Sequence, residues 1–162
     1  MAFLSLKKLL ETDHPPFVWG LDEAGRGPLA GPVTAACVVL PSGFENAQIA
    51  DSKKLSERQR ELLYSEIKEH ALAYSIVSVG PRRIEQKNIL GATLLAMKLS
   101  AERVWVQLQQ LFPEDCAMPY LLVDGNRRIE TDLPQDTITK GDQKIKAISA
   151  ASILAKVTRD RL

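Results

Sequence analysis

The order of short apolar runs along the chain restricts its possible folds most. Residues 17–21 (FVWGL) and 32–40 (PVTAACVVL) are apolar, partly β-branched and joined by a Gly- and Pro-rich connection, which predicts a hairpin-like pair of strands. Residues 73–79 (AYSIVSV) alternate and stop at Gly80-Pro81, while 120–123 (YLLV) form a buried-type run closed by Asp124-Gly125. A short strand is also expected over Thr137-Ile138-Thr139. A helix should begin at Ser56, a capping hydroxyl with Gln59 three residues on, and carry Leu62, Leu63 and Ile67 on one face. A long helix is expected from about Asn88 to Leu111, with Leu94, Leu95, Leu99, Val104 and Leu108, and an Ala-rich one over residues 143–162. Three early strands, a long helix, then strand, strand and helix predict an α/β fold with a mixed five-stranded sheet flanked by helices.

The 162 residues suffice for one such domain with a real core. Lys7, Lys8, Glu11 and Asp13 interrupt the leucines of residues 1–16, so this stretch reads as a short amphipathic helix ahead of a domain over residues 17–162, not as a signal. No apolar run approaches the roughly 20 residues of a membrane-spanning helix. Cys37 and Cys116 lack metal-ligand spacing and read as buried reduced thiols, so a cytoplasmic protein is expected. With Lys+Arg 21 against Asp+Glu 20, bulk charge neither demands nor excludes a polyanionic partner.

Two apolar strands run into acids: Asp22, followed directly by Glu23, and Asp124. A carboxylate ending a buried strand is costly unless paired or metal-bound, and α/β sheets place ligands at the carboxyl ends of strands. Neighbours on a regular strand face opposite ways, so Asp22 and Glu23 are expected to share a site only through a strand end or bulge, which Ala24-Gly25 permits. Asp142, after Gly141 and before the last helix, could serve merely as a cap. Oxygen donors without His or Cys companions suit Mg²⁺ or Mn²⁺ better than zinc. His14 and His70 fit no nucleophilic triad and read as surface residues.

Residues 22–31 (DEAGRGPLAG) gather backbone amides next to these acids, and Gly25 and Gly27 would let a sugar-phosphate backbone approach, although a turn needing positive φ accounts for them equally. The loop has neither a P-loop ending nor a dinucleotide-binding spacing. Lys53, Lys54, Arg82, Arg83, Lys87, Arg127, Arg128, Lys140, Lys144 and Lys146 fall mostly in loops or first helical turns, and only convergence on one face would make them a nucleic-acid footprint.

The string over residues 20–33 (GLDEAGRGPLAGPV) closely resembles the first signature of the bacterial ribonuclease HII family, the type 2 ribonucleases H. Further resemblances follow in order at residues 51–56 (DSKKLS), Asn88-Ile89-Leu90 with Ala92-Thr93, Val123-Asp124-Gly125, Lys140-Gly141-Asp142 and residues 150–160 (AASILAKVTRD). The resemblance implies a ribonuclease-H-like fold and a site of four carboxylates, Asp22, Glu23, Asp124 and Asp142, which outweighs the capping reading of Asp142. It implies a Mn²⁺ or Mg²⁺ cofactor, Gly25-Arg26-Gly27 reading a ribose 2′-hydroxyl, and Lys53 on the substrate backbone. The implied substrates are RNA–DNA hybrids and duplex DNA containing ribonucleotides, cut on the 5′ side of a ribonucleotide to leave a 3′-hydroxyl and a 5′-phosphate by two-metal-ion hydrolysis. No obligate protein partner is implied. Members usually continue past the last helix into a helical extension that carries a tyrosine, whereas this sequence stops at Leu162, so a C-terminally shortened member is expected. Two other readings stay open: a hybrid-binding domain with little or no turnover, and a metal-free hydrolase using Asp22 and Glu23, for which adjacent acids are poorly spaced.

Overall fold

The computed structural model describes residues 18–25, 31–41, 44, 49, 54–114 and 119–162, side chains at 81 and 83–87 excepted. The expected helix over residues 1–16 lies outside these residues. Five strands, β1 (Val18–Ala24), β2 (Val33–Val39), β3 (Ala73–Val79), β4 (Tyr120–Asp124) and β5 (Gln135–Ile138), form one sheet in the order β3-β2-β1-β4-β5. β1 pairs antiparallel with β2, as does β2 with β3, whereas β1–β4 and β4–β5 are parallel. The sheet is therefore mixed, as the order of apolar runs predicts.

Helices cover both faces of the sheet. This explains the unbroken apolar run of β2: all its residues are buried, and they alternate between two cores. On one face Trp19, Leu21, Cys37 and Val123 pack with α2 (Pro81–Leu111). On the other, Ala36 and Val38 meet α1 (Glu57–His70) and α3 (Lys146–Arg161), and Leu122 meets Ile148 of α3.

Helix α1 starts where its capping box requires. The Gln59 N–H donates to Ser56 Oγ at 3.2 Å, and the Ser56 N–H donates to Gln59 Oε1 at 2.9 Å. Its buried face differs from the expected one: Leu63, Tyr64 and Ile67 are inside, while Leu62 is 65% exposed. Leu62 precedes Leu63 by one position, about 100° around the helix, and so falls off the stripe that Leu63 and Ile67 set at i and i+4.

Helix α2 contains a break at Asn88 (φ 62, ψ 173), where the expected long helix begins. The Asn88 side chain acts there as a cap, its Oδ1 accepting the Gly91 N–H at 2.9 Å. The helical turns from Pro81 to the break escape the periodicity reading. The inward face is made largely of small residues, Ala92, Ala96, Ser100 and Ala101, with Met97, Val104 and Leu108, whereas Leu94 and Leu99 are only partly buried. Small side chains let this helix lie close on the sheet, while Val104 and Leu108 of the expected apolar pattern are fully buried and Leu94 and Leu99 pack at the edge of the core. Among the described residues no helix is long and apolar enough to cross a membrane.

β1 and α3 meet backbone to backbone at Gly20. A Cβ built on Gly20 would stand 2.1 Å from the Ala147 carbonyl carbon and 2.3 Å from the Ile148 nitrogen. The first turn of α3 thus lies directly on strand backbone, and the Ala-rich face, Ala147, Ala150, Ala151 and Ala155, continues the close approach. Because the obstruction is backbone, no rotamer change relieves it. Gly20→Ala should cost about 3 kcal/mol of stability or more, as overpacking against a fixed wall does. A urea unfolding curve indistinguishable from wild type would contradict this contact.

Candidate metal centre

The pairing of β1 with β4 assembles the acids. The parallel register runs from Val18↔Tyr120 to Leu21↔Val123, so its next step sets Asp22 beside Asp124 at the carboxyl ends of two adjacent strands. Both share the parity of Gly20 and Leu122 and point to the α3 face. Asp22 is 5% exposed, while Glu23 and Asp124 are partly buried.

Glu23 reaches the same place without a bulge, one residue before the end of β1. β1 continues through Ala24, and its register with β2 is regular at Asp22↔Ala36 and Glu23↔Ala35. β4 stops at Asp124, however, so no strand flanks Glu23 on that side and its longer side chain can turn into the space beyond. One carboxylate oxygen from each of Asp22, Glu23 and Asp124 lies within 4.8 Å of the others.

Such crowding has an electrostatic cost. Burial first, and then the charges of Glu23 and Asp124, hold the Asp22 carboxyl well above the usual carboxylate range. The Glu23 N–H, donated to Asp22 Oδ1 at 2.8 Å, acts in the opposite sense and is outweighed.

Asp142 is 8% exposed and sits in a 3-10 turn, Gly141–Gln143, just before α3. It does not cap α3, whose N-cap is Ile145. Its backbone N–H donates to Asp124 Oδ1 at 3.3 Å, and its carbonyl accepts the Ser149 hydroxyl. The turn needs Lys140 in the left-handed region (φ 55) and a glycine at 141, where a Cβ would meet Ile148 Cδ1 at 2.6 Å and Asp124 Oδ1 at 3.3 Å. The structure therefore joins Asp142 to the acids through its backbone, while the close trio of carboxylates is Asp22, Glu23 and Asp124.

Of the glycine loop, Gly25 is described, with φ +95 and no room for a Cβ, which would lie 2.7 Å from the Pro32 carbonyl oxygen. Arg26, Gly27 and Lys53 lie outside the described residues, as do Lys87 and Arg83 at the level of side chains. Lys140, Lys144 and Lys146 are exposed in the segment that follows β5, and Arg127 in the one that follows β4, whereas Arg128, also exposed, turns back toward Tyr120 at the opposite end of β4. His70 is exposed, as expected. A hollow of about 260 Å³ lined by Tyr120, Arg128, Leu133 and Gln135 lies at the opposite ends of β4 and β5 and is separate from the acids.

Three oxygen donors at this spacing, with no nitrogen or sulfur among them, fit a hard divalent cation. The sequence reading lacked Gly20, Gly141, Ser149 and Arg159. Gly20 and Arg159 meet partners more than a hundred residues away, and Gly141 and Ser149 meet theirs across the turn before α3; only the run over residues 150–160 hinted that the last helix matters.

A family model described as Ribonuclease HII matches residues 19–162. The chain belongs to the ribonuclease HII family. It is 52% identical to a ribonuclease HII of Ruminiclostridium cellulolyticum over 98% of this chain and 58% of that protein. It is 47% identical to a ribonuclease HII of Bacillus mycoides over 90% of this chain and 52% of that one. The chain thus spans little more than half the length of these two relatives. The ribonuclease H2 of Pyrococcus horikoshii OT3 superposes with a TM-score of 0.64 at 30% identity, covering 89% of this chain and 72% of that structure. The fold is ribonuclease-H-like.

Because Asp22 ionises with more difficulty in the folded protein than in the unfolded chain, the folded state holds its proton more tightly. Its effect on stability is smallest in acid and becomes unfavourable as pH rises through the ordinary carboxylate range. Asp22→Asn should therefore melt higher than wild type at pH 7 in EDTA, and the gap should close below about pH 4. Melting curves across that range test it, and a variant that melts lower at pH 7 would refute the crowding.

Proposed function

We propose that this protein is a divalent-metal-dependent endoribonuclease that hydrolyses the RNA strand of RNA–DNA hybrids and cuts 5′ of ribonucleotides embedded in duplex DNA. The observation that carries this reading is the trio of Asp22, Glu23 and Asp124 oxygens within 4.8 Å at adjacent strand ends, in a chain of the ribonuclease HII family. Asp142, tied to Asp124 through its backbone, is the fourth acid of the proposed site.

Mn²⁺ or Mg²⁺ held by these acids would supply an activated water for in-line attack on phosphorus and charge neutralisation at the leaving oxygen, giving a 3′-hydroxyl and a 5′-phosphate. The chain's own contribution is placement. Asp22 is fixed by burial between β4 and α3, and Asp124 is steadied by the Asp142 N–H. In this reading Gly25-Arg26-Gly27 offer backbone groups to a 2′-hydroxyl, the feature that separates RNA from DNA at one nucleotide. Lys53, together with the exposed Arg127, Lys140 and Lys144, would contact phosphates, which gives affinity but no choice of sugar.

The direct assay compares a labelled duplex containing one ribonucleotide with the all-DNA duplex, in Mg²⁺ and in Mn²⁺. Cleavage of the first alone is expected, and equal cutting of both would defeat ribose reading. Binding of hybrid without metal-dependent cleavage would favour a binding domain instead, and full activity in EDTA would favour metal-free chemistry. Asp124→Asn should keep the fold and lower the cleavage rate by on the order of 10³-fold or more. Mn²⁺ at a hundredfold excess over its Kd should stabilise the wild-type protein by about 2.7 kcal/mol, read as a raised Tm. An unchanged Tm at millimolar Mn²⁺ would argue against a metal site here.

A further inference from the structure

We infer that Arg159, in the last turns of α3, is a positioning residue that braces both ends of the glycine loop. The inference rests on the proposed role of that loop in reading ribose. Gly25 and Gly31 bracket the loop, both at positive φ (+95 and +144). A Cβ on Gly25 would meet Arg159 Nε at 3.0 Å and Cδ at 3.4 Å; one on Gly31 would meet Arg159 Nη2 at 2.6 Å and Cζ at 3.3 Å. The Arg159 side chain therefore occupies the space that side chains would take at both positions, touching the two loop ends at once. Its Nε is buried and makes no hydrogen bond among the described residues. A guanidinium nitrogen in that state is packed against the loop ends instead of being solvated, at a cost in desolvation that the surrounding packing must offset.

The geometry of α3 gives the brace its stiffness. Ala147 lies on Gly20 at the start of the helix and Arg159 on Gly25 near its end. Twelve helical residues rise about 18 Å, and five strand residues advance about 17 Å. Helix and strand thus run together, joined by backbone contact at one end and by Arg159 at the other. Glu23 is two residues before Gly25, so slack at the brace would reach both the loop and this acid while leaving Asp22 and Asp124 in place. A lysine keeps the charge but lacks the flat fork that spans both glycines.

The test uses the full chain with Arg159→Ala, Arg159→Met and Arg159→Lys, the last keeping charge and aliphatic stem should the others unfold. The readouts are kcat and KM on a duplex with one ribonucleotide, amide hydrogen exchange in the peptide spanning residues 24–32, and the Tm shift with Mn²⁺. Expected are a kcat lowered about 10² fold, the cost of a small misplacement, and a KM within about threefold of wild type. Exchange at Gly25 and Gly31 should quicken about tenfold, and the Mn²⁺ shift should persist. Guanidinium ion added to the Ala variant should return part of the lost rate, whereas ammonium should not. Wild-type kcat and exchange in all three variants would overturn the brace. So would a raised KM with unchanged kcat and a weaker salt dependence, which would mark Arg159 as a direct phosphate contact. Should the wild-type protein cut neither duplex, the proposed function fails, and exchange at Gly25 and Gly31 alone then decides the brace.

Discussion

The contact of α3 with the bare backbone of β1 at Gly20 sets the position of nearly everything that matters chemically. A glycine in the middle of a central strand is unfavourable for the strand itself. Here it lets a helix lie against the sheet with Ala147 on strand backbone, far closer than side chain on side chain would allow. Once α3 is down, the 3-10 turn before it has one place to go. The Ser149 hydroxyl holds the Asp142 carbonyl from within α3, and the Asp142 N–H reaches Asp124. At the far end of the same helix, Arg161 pairs with Glu61 and lies over the Tyr64 ring, fastening α3 to α1.

Against this fixed frame, the acids are held in an arrangement that the metal-free protein would rather relax. The hydrophobic cores on both faces of the sheet supply the stability that keeps Asp22 buried beside two other carboxylates. Sites whose local strain is offset by the rest of the fold are common where function requires preorganisation. The charge that a divalent cation would bring is of the sign this cluster lacks.

Much of this was legible in residue order. The five strands, the Ser56 cap and the start of the long helix at Asn88 follow from local chemistry that needs no distant partner. The acids Asp22, Glu23 and Asp124 stood out because charge at the end of an apolar strand calls for an explanation. Illegible features depend on what arrives from elsewhere. Leu62, expected on one face of α1 with Leu63 and Ile67, is exposed, and alanines share the inside of α2 with Met97, Val104 and Leu108, where closeness of approach counts beside hydrophobicity. Glu23 joins the site with no bulge because β4 happens to end beside it. Gly20, Gly141 and Arg159 owe their roles to neighbours more than a hundred residues away or across a turn, which periodicity cannot report.

The parallel pairing of β1 with β4 has a consequence for how the chain comes to be folded. Val18 and Tyr120 are register partners, so most of the sequence must be closed into a loop before these strands can hydrogen-bond. The antiparallel pairs β1–β2 and β2–β3 span far shorter separations and can form sooner. During synthesis from the N-terminus, Asp22 and Glu23 therefore emerge on a strand with one open edge, exposed to mispairing until Tyr120–Asp124 is made. Assembly of the carboxylates belongs to the closing steps of folding, so a partly synthesised chain does not yet hold the crowded acids.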